Sequence, residues 1–178
     1  ETSVDDNGIV TLKSAKTKES APEVDLYEDF SCPHCAELAE GSDKAMKEAV
    51  EKGELVVNVH PMNFLDLRGV DLEKFMSDDS IKLEGHSSKS ASVMDIIARS
   101  GDAKAYWNMR AYLFENQQSV GSWDFEDFAE AAKGFGADGD VQKQIKDAGV
   151  EAGNEIGRAN AKKLKETTGT VSSPRVIK

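Results

Sequence analysis

The chain has 178 residues, of which 39% are hydrophobic and 31% charged, and its formal net charge is −11 at neutral pH. A chain of this length builds one substantial core, and the surplus of carboxylates argues against nucleic acid or an anionic membrane surface as a direct partner. No apolar run approaches the length of a membrane span, and no secretory signal segment is visible.

Residues 2–7 are polar and precede a first strand-like run at residues 9–12; beginning on Glu1 instead of Met, the chain is expected to be a processed form. Residues 24–30 alternate apolar and acidic side chains, the pattern of a half-buried strand. They run into Cys32-Pro33-His34-Cys35, which holds both cysteines of the chain. Beyond it Leu38, Ala45, Met46, Ala49 and Val50 recur at helical spacing, with Gly53 at a helix-stop position and Gly41-Ser42 as a point of bending. Residues 55–62 are largely β-branched and apolar, which predicts a buried strand ended by Pro61. Strand, crossover helix and strand form a βαβ unit with the cysteine pair at its first turn.

A C-x-x-C pair is a redox-cycling dithiol, half of a zinc site or a fixed disulfide. Zinc takes four ligands, and His34, His60 and His86 are scattered, with no short-spaced pair among them. A disulfide across a two-residue loop restrains the unfolded chain little, so it makes a poor staple. The βαβ setting favours the redox reading and a thioredoxin-like fold. Cys32 then falls at a helix N-terminus, where unpaired N–H groups and the positive end of the helix dipole favour a thiolate. His34, able to carry positive charge nearby, is expected to add to that effect.

A thioredoxin unit needs only about 100 residues, so a large insertion is expected, and residues 64–166 supply it. Residues 65–92 read as a short helix and a loop, with His86 as an exposed loop histidine of no role. Val93, Ile96 and Ile97 mark one helix, and Tyr106, Met109 and Leu113 a second. Phe125, Phe128 and Ala132 mark a third, opened by Asp124 as N-cap and closed by Gly134. Val141 with Ile145, then Ala152, Ile156, Ala159 and Leu164, mark two more. The aromatics Tyr106, Trp107, Trp123 and Phe125 read as core of this subdomain.

Three stretches carry a family resemblance: Tyr27 through Cys35, the helical segment from Ala105-Tyr106-Trp107 to Leu113-Phe114 and Gln117, and Gly169-Thr170-Val171-Ser172-Ser173-Pro174. On them the chain resembles the DsbA-like thiol-disulfide oxidoreductases, and within these the actinobacterial disulfide-forming enzymes. A Pro33-His34 dipeptide between the cysteines is characteristic of the oxidising members. The resemblance implies an α/β thioredoxin fold with a large helical insertion: residues 1–63 as its first part with the active site, 64–166 as the insertion, and 167–178 as its second part. It also implies Cys32 as nucleophile, Cys35 as resolving thiol, and a cis-proline loop at Ser173-Pro174 that binds extended substrate.

The implied activity is donation of the Cys32–Cys35 disulfide to unfolded exported polypeptides, pilus subunits among them, by a monomer outside the cytoplasm. Re-oxidation falls to a membrane quinone-linked partner of the DsbB or vitamin-K-epoxide-reductase type, and no metal, flavin or nucleotide cofactor is required. A reductase or isomerase, or a non-catalytic thioredoxin-fold binding module or chaperone, is the alternative. Two departures stand out. Many relatives carry an acid six positions before the first cysteine, where this chain has Leu26; Glu28 and Asp29 are nearer but alternate between strand faces. The chain also stops four residues past Pro174, so a final strand and covering helix of the fold are expected to be missing.

Overall fold

The computed structural model describes residues 1–178. The run before Cys32 forms strand β3, Glu23–Asp29, and the β-branched run forms β4, Val56–Met62, parallel to it with Leu26 opposite Val59. Parallel neighbours need a crossover, and helix α1, Pro33–Glu51, provides it without a break at Gly41-Ser42. The chain leaves α1 through Gly53, whose φ of 75° is left-handed and whose missing Cβ leaves room for the Lys16 carbonyl.

Two short strands extend the sheet beyond β4. β2, Val10–Leu12, pairs antiparallel with β4, and β1, Thr2–Val4, pairs antiparallel with β2. Residues 2–7 are thus not a featureless lead. Asp6-Asn7-Gly8 make a hairpin turn, with Gly8 at φ 78° and the Asp5 carboxylate accepting the N–H groups of Asn7 and Ile9. At the other edge β5, Arg175–Ile177, runs antiparallel to β3, giving the order β1-β2-β4-β3-β5.

Pro61 does not end its strand, contrary to the sequence expectation. The pairing of β2 with β4 stops at Val59, so on that side no strand asks Pro61 for an N–H and its carbonyl accepts from the Asn160 side chain, while on the other side it stays in register with Glu28 of β3.

Seven helices follow β4 and a short 3-10 turn at Phe64–Asp66: α2 (Leu72–Ser77), α3 (His86–Arg99), α4 (Ala103–Glu115), α5 (Gln117–Val120), α6 (Phe125–Gly134), α7 (Gly139–Lys146) and α8 (Glu151–Thr168). Asp102 and Asp138 cap α4 and α7, and Asp124 caps α6 in a reciprocal box with Asp127. The stretch read as mostly loop is largely ordered structure. α3 starts at His86, and Ser87, Ser88, Ser90 and Ser92 are all buried. Polar residues survive there because each finds a partner. Asp66, for example, accepts from the N–H groups of Ser87 and Ser88 and from the Ser88 hydroxyl, closing the helix start from outside.

Most apolar side chains of sheet and insertion merge into one large core, and Tyr27, Met62 and Leu164 form a second, small cluster between β3, β4 and α8. Leu26, Phe30, Val57 and Val59 are continuous with Ile97, Tyr106, Met109, Leu113 and Phe128. α1 packs against α4 on one side, while α8 lies against β4 and α3 on the other. Gly153 and Gly157 let α8 come that close, since a Cβ on either would strike Ser88 or Asn63. This is the thioredoxin arrangement with a helical insertion, as expected.

Candidate active site

Cys32 is the N-cap of α1, in extended backbone conformation, and its sulfur accepts the N–H of Cys35 at 3.2 Å. Pro33 takes the first helical position, where an N–H has no intrahelical partner and the ring presets φ. Both cysteines are free and nearly closed to solvent, 3% exposed at Cys32 and 2% at Cys35. Burial, reinforced by the neighbouring Cys32 sulfur, pushes the Cys35 thiol well above the usual range; the backbone N–H of Asp29 and the Ser173 side chain oppose this.

The chain returns to the dithiol at its far end. The Ser173–Pro174 bond is cis, and the Cys32 thiol donates to the Ser173 carbonyl at 3.6 Å. Cys32, Cys35 and Ser173 are therefore brought together although Ser173 lies 141 residues from Cys32. His34 is not part of this cluster: its side chain is 78% exposed and its Nδ1 lies 3.4 Å from Glu37 of the same helix turn. His86, read as an exposed loop residue, is the first residue of α3. It is half-buried, stacked on Phe128 and 3.2 Å from the Ser90 hydroxyl, and burial lowers its pKa.

Two further layers hold the site; the sequence points to Gln117 and to Glu28 and Asp29, but not to the partners that each of them binds. Gln117, the first residue of α5, donates both hydrogens of its amide, to the carbonyls of Phe30 and Cys32, each at 2.9 Å. Beside it Phe30 stacks on Phe114 of α4 at 5.1 Å. Beneath, Glu28 and Asp29 point to opposite faces of β3 and both are buried, at 1% and 0% exposure.

Glu28 is paired. Arg110 of α4 binds it through Nε and Nη2 and binds Asp43 of α1 through Nη1, so one guanidinium ties strand, α1 and insertion together. Burial works to lower the Arg110 pKa, but the charges and hydrogen bonds of Glu28 and Asp43 prevail and raise it. Asp29 has no such cation. Its oxygens accept from the N–H groups of Ser31 and Leu65 and from the Ser87 hydroxyl at 2.5 Å. Burial nevertheless outweighs these bonds, and the carboxyl is pushed up to about 7. Leu26 is a buried apolar residue beside Val24, Leu38, Met46 and Val176.

Comparison with known proteins places this geometry among thiol chemistry. A family model described as Thioredoxin matches residues 17–177. Among solved structures, the MdbA protein, a thiol-disulfide oxidoreductase from Corynebacterium diphtheriae, is 39% identical, with a TM-score of 0.85 over 99% of this chain and 84% of that one. Its counterpart from Corynebacterium matruchotii is 37% identical, again with a TM-score of 0.85, over 99% of this chain and 82% of that one. DsbA of Mycobacterium tuberculosis shares the fold at 22% identity and a TM-score of 0.65, over 94% and 82% of the two chains. A search of curated proteins found no match.

Proposed function

The chain belongs to the DsbA-like thiol-disulfide oxidoreductases of the thioredoxin family, and from that premise we propose that it works as an oxidant, giving its Cys32–Cys35 disulfide to unfolded exported polypeptides. The observation that carries this reading is the Cys35 N–H aimed at the Cys32 sulfur from the first turn of α1. A donor held at that sulfur meets the negative charge that develops on it when it leaves a mixed disulfide, so Cys32 can be released once a second substrate thiolate attacks.

In the oxidised protein a substrate thiolate attacks Cys32 Sγ. The Cys32–Cys35 bond breaks and its electron pair goes to the Cys35 sulfur, leaving a mixed disulfide. A second substrate thiolate then attacks the substrate sulfur of that bond, and Cys32 departs as thiolate. Pro33 sets the turn, and the exposed His34 stands at the mouth of the site. The Ser173 carbonyl and Pro174 form the wall against which an extended substrate lies. Re-oxidation falls to a membrane quinone-linked partner of the DsbB or vitamin-K-epoxide-reductase type, and the protein acts outside the cytoplasm as a monomer. No helix is long and apolar enough to cross a membrane.

The test is direct. Oxidised protein mixed with a reduced, unfolded substrate transfers its disulfide; Cys32→Ser abolishes transfer, and Cys35→Ser accumulates mixed disulfides because the resolving thiol is gone. The reduction potential decides direction: a value near thioredoxin's, about −270 mV, would make the protein a reductant and overturn the reading.

A further inference from the structure

Thiol exchange at Cys32 moves protons as well as electrons. An incoming thiol must lose its proton before it attacks, and the departing Cys35, whose thiol is strongly disposed to stay protonated, must gain one. Leu26 of β3 has no proton to exchange, and Glu28 is committed to Arg110. The unused acid is Asp29, three residues before Cys32 at the end of β3.

Hydrogen count at Asp29 defines a connected path. Ser87 lies 2.5 Å from the Asp29 carboxylate and 2.7 Å from the Ser31 hydroxyl. A serine has one hydrogen to give. When Asp29 is ionised, Ser87 gives that hydrogen to the carboxylate and receives one from Ser31. When Asp29 is protonated, the same two bonds run the other way. The chain of three groups starts at a fully buried carboxyl and ends at the half-buried residue next to the nucleophile.

The surroundings leave the carboxyl free to gain and lose a proton. It forms no ion pair. The 3-10 turn contributes the Asp66 carboxylate, which disfavours a second charge beside it. α3 contributes His86 and Ser87 at its start and Lys89 one turn on, α1 contributes Cys35 near the Asp29 backbone, β4 contributes Met62 opposite, and Glu28 of β3 faces away.

We infer that Asp29 is the proton acceptor for thiol exchange at this site, acting through the hydroxyls of Ser87 and Ser31. In the balanced step the substrate thiol gives its proton to the Ser31 oxygen, the Ser31 proton passes to Ser87 and that of Ser87 to Asp29. The substrate sulfur forms its bond to Cys32 Sγ while the Cys32–Cys35 bond breaks, and its electron pair goes to Cys35. The proton held on Asp29 then returns to the site, where Cys35 takes it up. The inference rests on the exchange chemistry of the family and not on the direction of transfer.

The experiment is the rate at which oxidised protein reacts with dithiothreitol across the range from about pH 5.5 to 8.5, after subtraction of the part contributed by dithiol already ionised in solution. In the native protein the corrected rate rises with a single ionisation near neutrality. Asp29→Asn removes that ionisation and slows exchange at the alkaline end about tenfold, less than a directly placed base contributes because two hydroxyls intervene. Ser87→Ala gives the same flat profile while the Asp29 carboxyl still titrates by NMR, and Ser87→Thr, which keeps the hydroxyl, restores it. An Asp29→Asn protein with the native profile overturns the inference; if that variant does not fold, a native profile in Ser87→Ala overturns it equally. A native protein inert towards dithiothreitol sinks the exchange reading itself, a result distinct from an active native protein that Asp29→Asn merely matches.

Discussion

Arg110 grips Glu28 with two parallel hydrogen bonds, Nε to Oε2 at 2.8 Å and Nη2 to Oε1 at 2.7 Å, and each side chain is only 2% exposed. A buried pair of this kind is strongly destabilising to break from one side, because the remaining charge stays in the core without a partner. Arg110→Ala is therefore expected to cost about 3–5 kcal/mol in urea unfolding. Replacing both partners, Arg110→Leu with Glu28→Leu, should cost less than Arg110→Ala alone. The opposite order would mean that water already screens the pair.

Asp29 gives stability a pH dependence of definite sign. The folded carboxyl titrates at about 7 against 3.8 for the ordinary group. Between those values the unfolded chain gives up its proton while the folded chain keeps it, so stability falls as pH rises from about 4 to about 7 and stays low above that. The shift corresponds to about 4 kcal/mol at full ionisation. Asp29→Asn should thus unfold at higher urea than the native protein at pH 8 and lose most of that advantage at pH 4. Equal midpoints at pH 8 would show that the folded carboxyl ionises without cost.

Gly153 and Gly157 make a prediction that runs against helix propensity. Alanine in the interior of a helix is usually better than glycine by about 1 kcal/mol. Here the added methyl would meet the Ser88 carbonyl at position 153 and the buried Asn63 side chain at position 157. Gly153→Ala and Gly157→Ala are each expected to lower stability by about 1–3 kcal/mol, the usual cost of overpacking. A gain in thermal midpoint would mean that α8 can move off α3 at position 153, or off Asn63 at position 157, without penalty.

What could be read from the sequence divides along the range of the interactions involved. β3, α1, β4 and the place of Cys32 at a helix N-terminus follow from local period and from the stop at Gly53, and all are found in the structure. Asp124 likewise announces α6 through its own side chain. The errors arise where a distant partner overrides the local signal. Pro61 continues its strand because β2 happens to end at Val59, so that no N–H is needed beyond it on that side, and Asn160 donates to its carbonyl. The serines at 87–92 look like loop, yet are buried because Asp66, Asp29 and Gly153 receive or supply their hydrogen bonds. Strand alternation separated Glu28 from Asp29 correctly, but that one would be neutralised by an arginine 82 residues away, and the other by none, has no trace in the local pattern.

The continuous core joining sheet and insertion decides how the molecule comes apart. Ile97, Tyr106, Met109 and Leu113 bury themselves against the same cluster as Leu26, Val57 and Val59, so the inserted helices have no private hydrophobic centre on which to survive. Arg110 and Gln117 add polar ties across the same boundary. Sheet and helices are therefore expected to unfold in one cooperative transition, with no stable half-molecule for a protease to release. Unfolding of the insertion and loss of the dithiol geometry are then a single event.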